Sequence, residues 1–412
     1  LSVAMTITLL SGCGPTTGKQ NATNTKTEVS KNAENTEETK LSKEVQENIV
    51  APLEEVQKPF KEVVAPLADI KKDFDDSVGS VAKSFTGIGK TSKTKAAEEA
   101  GADYLAVAYP IEGIELRQAG IKSPVMVLTA GTDSFEQIVN YGLEPGIPNM
   151  YSLRVLCDVL QKRGINDFPI HIKIDTGMHR LGFMNDELPE LMDFVKECRN
   201  VKIKSVYSHL AAADDPDCDD FTLGQIRLFR ENADKLTAAL GYKPLYHILN
   251  SAGIERFPEY QFDMVRLGIG IYGVSALPGN QLSTVASFKC KVLQIKTLKP
   301  GDGTIGYGRH GKIADGGTVI ATIPVGYADG LDRHLSCGKG RFLVNGHRVP
   351  TIGNICMDMT MLDVTGLDVK VGDTVTIFGE APTITELAEI LGTIPYEILT
   401  SVPRRIERII VK

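Results

Sequence analysis

The sequence predicts an α/β fold, a (β/α)8 (TIM) barrel followed by a mostly β C-terminal domain. Three observations carry this expectation. From about residue 104 to 269, apolar runs of strand length alternate with amphipathic helical stretches, as in a parallel sheet with helical crossovers. After about Thr284 the helical period stops, and short β-rich runs separated by Gly-rich turns take over. At 412 residues, the chain has room for a barrel and a further domain.

Taken in order, residues 1–10 form an apolar run too short to span a bilayer. The run ends in Leu10-Ser11-Gly12-Cys13, which resembles the lipobox of bacterial lipoproteins. Residues 1–13 are therefore expected to be a lipoprotein signal, with Cys13 as the lipidation candidate. Residues 14–76 are expected to be a disordered tether and a short repeat. The tether is rich in Thr, Asn, Lys and Glu, and lacks the apolar surface to offset chain entropy. In the repeat, Val50-Ala51-Pro52-Leu53 recurs as Val64-Ala65-Pro66-Leu67.

The barrel is placed at 77–283. Its strands are expected at 104–108, 125–128, 147–151, 170–174, 203–208, 246–250 and 264–269, with 78–85 as a degenerate first strand. Helices are expected at 112–119, 134–141, 152–163, 187–198 and 223–240. The β domain is placed at 284–412, with strands at 291–297, 318–325, 341–344, 359–364 and 374–378 and helices at 384–391 and 396–402.

The net charge of −7 and the lack of a basic stripe argue against nucleic acid as a partner. The seven cysteines (13, 157, 198, 218, 290, 337 and 356) show no CxxC spacing, so neither a metal site nor a disulfide framework is expected. Scattered thiols suit a reducing compartment. The localisation is then cytoplasmic if the leader is not real, and a membrane-anchored lipoprotein of the cell envelope if it is.

Barrels of this class place chemistry at the C-terminal ends of their strands. Four polar clusters fall there: 173–180, Ser208-His209, 247–251 and Arg266-Leu267-Gly268-Ile269. The β domain adds Gly306-Tyr307-Gly308-Arg309, 326–330 and Cys356-Met357-Asp358. Glycines on both sides of Tyr307 suit a loop that presents a phenol in a tight site.

With these stretches in view, the sequence resembles bacterial alanine racemase, a fold-type III enzyme of pyridoxal 5'-phosphate. The motifs are DYLAVA (103–108), KIDTGMHRLG (173–182), SH (208–209), LNSAG (249–253), MVRLGIGIYG (264–273), GYGR (306–309), VGYADG (325–330) and CMD (356–358). The resemblance implies Tyr307 as one catalytic base, with His209 as its neighbour and Arg266 on the cofactor's pyridine nitrogen. It implies Asn250, Ser251, Gly268 and Ile269 around the cofactor phosphate, and Arg180, Tyr327, Met357 and Asp358 toward a small amino-acid substrate. Lys173 matches a lysine that many members carbamylate. The resemblance further implies a homodimer, in which the β-domain residues complete a partner's site.

Moving a proton between two faces of Cα takes a second base. In the family this is the lysine that also carries the cofactor. Lys83, in Val81-Ala82-Lys83-Ser84-Phe85, is the candidate for both roles. Two readings of this stretch stand, a degenerate working strand or an unrelated segment carrying an accidental lysine. The expected function is racemisation of L- and D-alanine, supplying D-alanine for peptidoglycan. The alternatives are a broad-spectrum racemase of the envelope and a non-catalytic lipoprotein that keeps the barrel.

Overall fold

The computed structural model describes residues 2–6, 90–277, 282–403 and 405–409. Cys13, the 14–76 segment, residues 78–85 and Lys83 lie outside the described residues.

Six consecutive strands form a curled parallel sheet: β2 (Tyr104–Val107), β3 (Val125–Val127), β4 (Glu144–Ile147), β5 (Phe168–Lys173), β6 (Val201–Tyr207) and β7 (Leu245–His247). A strand β1 (Ser2–Thr6) pairs in parallel with β2 on one side and with β8 (Met264–Leu267) on the other. The strand next to β2 is thus Ser2–Thr6, where 78–85 was expected. The ends of the sheet approach each other, with Asp263 N donating to Tyr246 O (3.1 Å) and Arg266 N to Leu249 O (3.0 Å).

Helices α1 (Lys90–Glu99), α2 (Pro110–Gln118), α3 (Phe135–Asn140), α4 (Met150–Lys162), α5 (Leu188–Glu197), α6 (Asp219–Leu240) and α7 (Ser251–Arg256) lie between or before these strands. Their apolar faces meet the sheet in one core that includes Leu105, Phe135, Leu153, Phe183 and Phe229. The fourth strand corrects the expectation of 147–151. Asn149 caps α4 by accepting from Ser152 N at 2.9 Å, so the chain is helical from Met150, and the strand lies earlier. Pro145 and Gly146 hid it, because both are depleted in strands. Helices α1 and α7 were also not anticipated.

The second domain is mostly antiparallel β. Strands β9 (Phe288–Lys291), β10 (Gln294–Leu298), β11 (Thr304–Ile305), β12 (Gly311–Lys312), β13 (Thr318–Ile323), β14 (Arg341–Val344), β15 (His347–Pro350), β16 (Thr360–Asp363) and β17 (Thr374–Phe378) form three sheets, ordered β10-β13-β16, β11-β12 and β15-β14-β17-β9. The expected strand 291–297 is two strands in different sheets. Helices α8 (Ile384–Leu391) and α9 (Pro395–Ser401) cover a core containing Phe342, Val375 and Leu387. Among the described residues no helix is long and apolar enough to cross a membrane.

Candidate active site

The polar residues inside the parallel sheet arise from strand alternation. His171 and Lys173 share one face of β5, as Ser205 and Tyr207 do on β6, and the register sets Lys173 beside Tyr207. His209 follows β6, His247 ends β7 and Arg266 lies in β8.

Arg266 organises this interior. It is buried, and its two terminal nitrogens make five hydrogen bonds. Nη1 donates to His247 Nδ1 (2.7 Å) and His247 O (3.2 Å). Nη2 donates to Ser208 O (2.6 Å), Ile248 O (3.0 Å) and His209 Nδ1 (3.4 Å). Burial lowers its pKa to about 10, which still leaves the guanidinium charged at neutral pH.

Beyond Arg266 runs a buried chain that the sequence reading did not assemble. His247 Nε2 lies 2.8 Å from Ser205 Oγ, which lies 2.6 Å from His171 Nδ1, and His171 Nε2 lies 3.0 Å from Glu144 Oε2. A guanidinium can only donate, so His247 Nδ1 must accept. His247 Nε2–H then donates to Ser205, Ser205 O–H to His171 Nδ1, and His171 Nε2–H to Glu144. Every proton points from the cation toward the carboxylate. The Tyr207 ring stacks on His247, with centroids 5.2 Å apart, and its hydroxyl is buried without a partner among the described residues.

This chain has a consequence for pH. Burial, then the charge of Arg266, pushes the His247 pKa well below 6.5. As pH falls through 6.5 the unfolded chain binds a proton at this residue and the folded chain does not, so stability is lost toward acid. His247→Asn should flatten the fall of unfolding free energy in the roughly two pH units below that point. Urea titrations at a series of pH values measure this, and an unchanged slope contradicts a neutral His247.

Three cations converge above the chain. Burial, followed by Arg180 and Arg266, lowers the Lys173 pKa to about 8, while Asp175 opposes the shift. A lysine that is partly neutral near physiological pH can react with CO2, as carbamylation needs. His209 is half-buried, and burial followed by Arg266, Arg180 and Lys173 lowers its pKa to about 3. The turn that sets Arg180 is held by Asp175, whose Oδ1 accepts from Gly177 N (2.9 Å) and His179 N (3.1 Å). Arg180 itself is exposed.

At the next strand ends, Asn250 accepts from Gly253 N at 2.9 Å and caps α7. Ser251 Oγ accepts from Gly268 N (2.9 Å) and Gly270 N (3.2 Å), which fixes the turn through Ile269. Asn250, Ser251, Gly268 and Ile269 therefore form one local structure beside Arg266.

The β-domain candidates form a second group. Tyr307 is 72% exposed, and Asn354 Nδ2 donates to its carbonyl at 2.8 Å. Gly306 and Gly308, at φ 76° and 69°, give this loop its shape. Tyr327 N donates to Cys356 O (3.0 Å) and Ala328 N to Met357 O (2.9 Å). A Cβ at Gly326 would collide with the same two carbonyl oxygens, so the approach requires glycine. Arg405 clamps this surface by pairing with both Asp329 and Asp358 at 2.7 Å. Tyr327 and Met357 are exposed beside it. Among the described residues no hydrogen bond or ion pair joins Tyr307, Tyr327, Met357 or Asp358 to Lys173, Arg180, His209 or Arg266.

Residues 67–276 match the alanine racemase N-terminal domain family, and residues 285–410 match the alanine racemase C-terminal domain family. The chain belongs to the alanine racemase family. It is 35% identical over 349 residues to alanine racemase 1 of Clostridium acetobutylicum, across 81% of this chain and 89% of that one. Among solved structures it is similar to the alanine racemase from Bartonella henselae with covalently bound pyridoxal phosphate. The TM-score is 0.70 at 30% identity, over 80% of this chain and 89% of that one. The alanine racemase from Bacillus anthracis with bound L-Ala-P gives a TM-score of 0.70 at 31% identity, over 79% and 85% of the two chains.

Sequence reasoning missed Glu144, His171, Ser205, Asn354 and Arg405 in this alanine racemase family member. For His171 and Ser205 a signal existed, a polar residue two places before Lys173 and Tyr207 in otherwise apolar strands.

Proposed function

We propose that the protein is a pyridoxal-phosphate-dependent alanine racemase that interconverts L- and D-alanine and supplies D-alanine for peptidoglycan. The family match over both domains carries this reading. The donor set fits the cofactor. Lys173, Arg180 and Arg266 gather positive charge at the strand ends, and Ser251 with the Gly268–Gly270 backbone suits a phosphate. Arg266 would face the pyridine nitrogen, while Asn250, Ser251, Gly268 and Ile269 would hold the phosphate. When bound, pyridoxal phosphate supplies an electron-withdrawing ring that acidifies the Cα–H of alanine.

The chain's own residues do the rest. Arg266, a cation locked by five bonds, would hold the cofactor's pyridine nitrogen and disfavour its protonation, which would moderate the ring's electron demand. His209 stays neutral. Because its Nδ1 accepts from Arg266, its proton sits on Nε2, ready to donate to the Tyr307 oxygen. Tyr307 takes or returns the proton on one face of Cα, and Lys83 on the other. The match to the N-terminal domain family begins at residue 67, so it includes Lys83. Arg180 would bind the substrate carboxylate, Tyr327, Met357 and Asp358 would shape the entrance on that side, and a carbamate on Lys173 would hold Arg180.

Closure of the curled sheet as a (β/α)8 barrel is part of this reading, supported by the two backbone bonds between its ends. So is a homodimer with composite sites, since the exposed face bearing Tyr307, Tyr327 and Met357 needs a barrel mouth to act on. Anchoring through Cys13 follows cleavage before that residue and would remove β1 from the sheet, so it is the alternative to the closed-barrel reading and would place the reaction at the cell envelope; with β1 retained, the reading is cytoplasmic. The test is conversion of L-alanine by the purified chain with added pyridoxal phosphate, followed by chiral chromatography. An equimolar mixture of enantiomers is the expected end point, and L-alanine left unchanged by folded, cofactor-loaded protein rejects the proposal.

A further inference from the structure

Away from the barrel mouth, Cys157 of α4 and Cys198, which ends α5, bring their sulfur atoms within 3.2 Å across a separation of 41 residues. This is closer than two sulfurs in ordinary van der Waals contact. Arg154 holds the two helices in this register. It pairs with Glu190 at 2.8 Å, and its guanidinium lies 5.0 Å from the centroid of the Phe194 ring. The two thiols differ in access. Cys157 is 7% exposed, whereas Cys198 lines a cavity of about 420 Å³ together with Lys196, Arg199, Lys202 and Asp167. Lys196 is paired with Asp193 at 3.0 Å, which leaves Arg199 and Lys202 against Asp167, a net positive charge that favours an anionic molecule.

We propose that Cys157 and Cys198 are a reversible dithiol–disulfide pair, oxidised by a small anionic disulfide that enters the cavity beside Cys198. In the first step the Cys198 thiolate attacks one sulfur of the small disulfide. The S–S bond breaks, one small thiol leaves, and a mixed disulfide remains on Cys198. In the second step Cys157 gives up its proton and attacks Cys198 Sγ, and the second small thiol departs. The two cysteines lose two electrons in total, and the small disulfide becomes two thiols. Burial and the adjacent Cys198 push the Cys157 thiol up, and only Cys198 lines the cavity, so Cys198 is the thiol that attacks first. The link would tie α4 to α5 on the outer layer without touching the residues at the barrel mouth.

Oxidised glutathione is the probe. Reduced full-length protein is incubated with it, quenched by alkylation and digested with trypsin under non-reducing conditions. The expected product joins residues 155–162 to residues 197–199, with loss of two hydrogens, and dithiothreitol reverses it. Cys157→Ala should stop at a glutathione adduct on Cys198, and Cys198→Ala should leave Cys157 alkylatable and unmodified. At low ionic strength the uncharged hydroxyethyl disulfide should react more slowly than glutathione disulfide. The pairing is overturned if wild-type protein stays alkylatable at both cysteines, or stops at a stable adduct, or if Cys157 reacts first. Equal rates for the two disulfides overturn the anionic preference.

Discussion

Tyr307→Phe is expected to leave the chain folded and able to bind pyridoxal phosphate, and to slow Cα proton exchange from one enantiomer of alanine by about 10²–10⁴-fold, the usual contribution of one positioned acid–base group. The phenol is 72% exposed in the single chain, so removing its oxygen opens no core cavity. The loop keeps its shape through the two glycines and the bond from Asn354 to the Tyr307 carbonyl, and none of these uses the hydroxyl. A fall in rate therefore reports chemistry. Solvent deuterium appearing at Cα, followed separately from L- and D-alanine, measures it. Rates near wild type from both enantiomers remove Tyr307 from the reaction. The composite site adds a second readout. Mixing Tyr307→Phe chains with Lys83→Ala chains under subunit exchange should recover activity that neither has alone, since some pairs then carry one intact site.

Arg266→Leu is expected to lower the unfolding free energy by about 3–5 kcal/mol, the range for breaking a buried charged network from one side. Loss of the guanidinium leaves the Ser208 and Ile248 carbonyls and His247 Nδ1 without their donor, while the His247 carbonyl keeps Ser208 N (3.3 Å), in an interior where each unmet acceptor costs about 1–3 kcal/mol. It also leaves Glu144, at the far end of the chain, without the cation its protons point from. Arg266→Lys keeps the charge, but one ammonium cannot reproduce the two-nitrogen fork, so it should recover only part of the loss. Urea unfolding of the three proteins decides the matter, and a loss below about 1 kcal/mol for Arg266→Leu would mean the network does not hold the fold.

The fold was legible where the apolar runs were clean. Strands β2, β3, β5 and β8 and helices α4 and α6 lie close to where periodicity put them, because each pairs a buried face with plain boundaries. It was illegible where local composition and tertiary demand disagree. Pro145 and Gly146 sit in a fully buried strand, and Val292-Leu293 reads as strand interior although the chain changes sheets there. The site divides in the same way. Lys173, His209, Asn250, Ser251, Arg266 and Tyr307 stand in dense local motifs, so a linear reading finds them. Glu144, His171 and Ser205 matter only because three strands bring them into line, and Arg405 only because it returns to Asp358 from 47 residues away. Such partnerships exist only in the folded chain. Lys83 and Cys13 remain expectations from their motifs.

The racemase account requires that pyridoxal phosphate be carried on a lysine of this chain, and borohydride reduction of the cofactor-loaded protein, followed by peptide mapping, tests that requirement most directly. The account predicts one reduced pyridoxyl group per chain, on Lys83, with activity lost in step with its appearance. A folded protein that takes no label, or a label confined to Lys173 or to exposed lysines while racemisation continues, contradicts it.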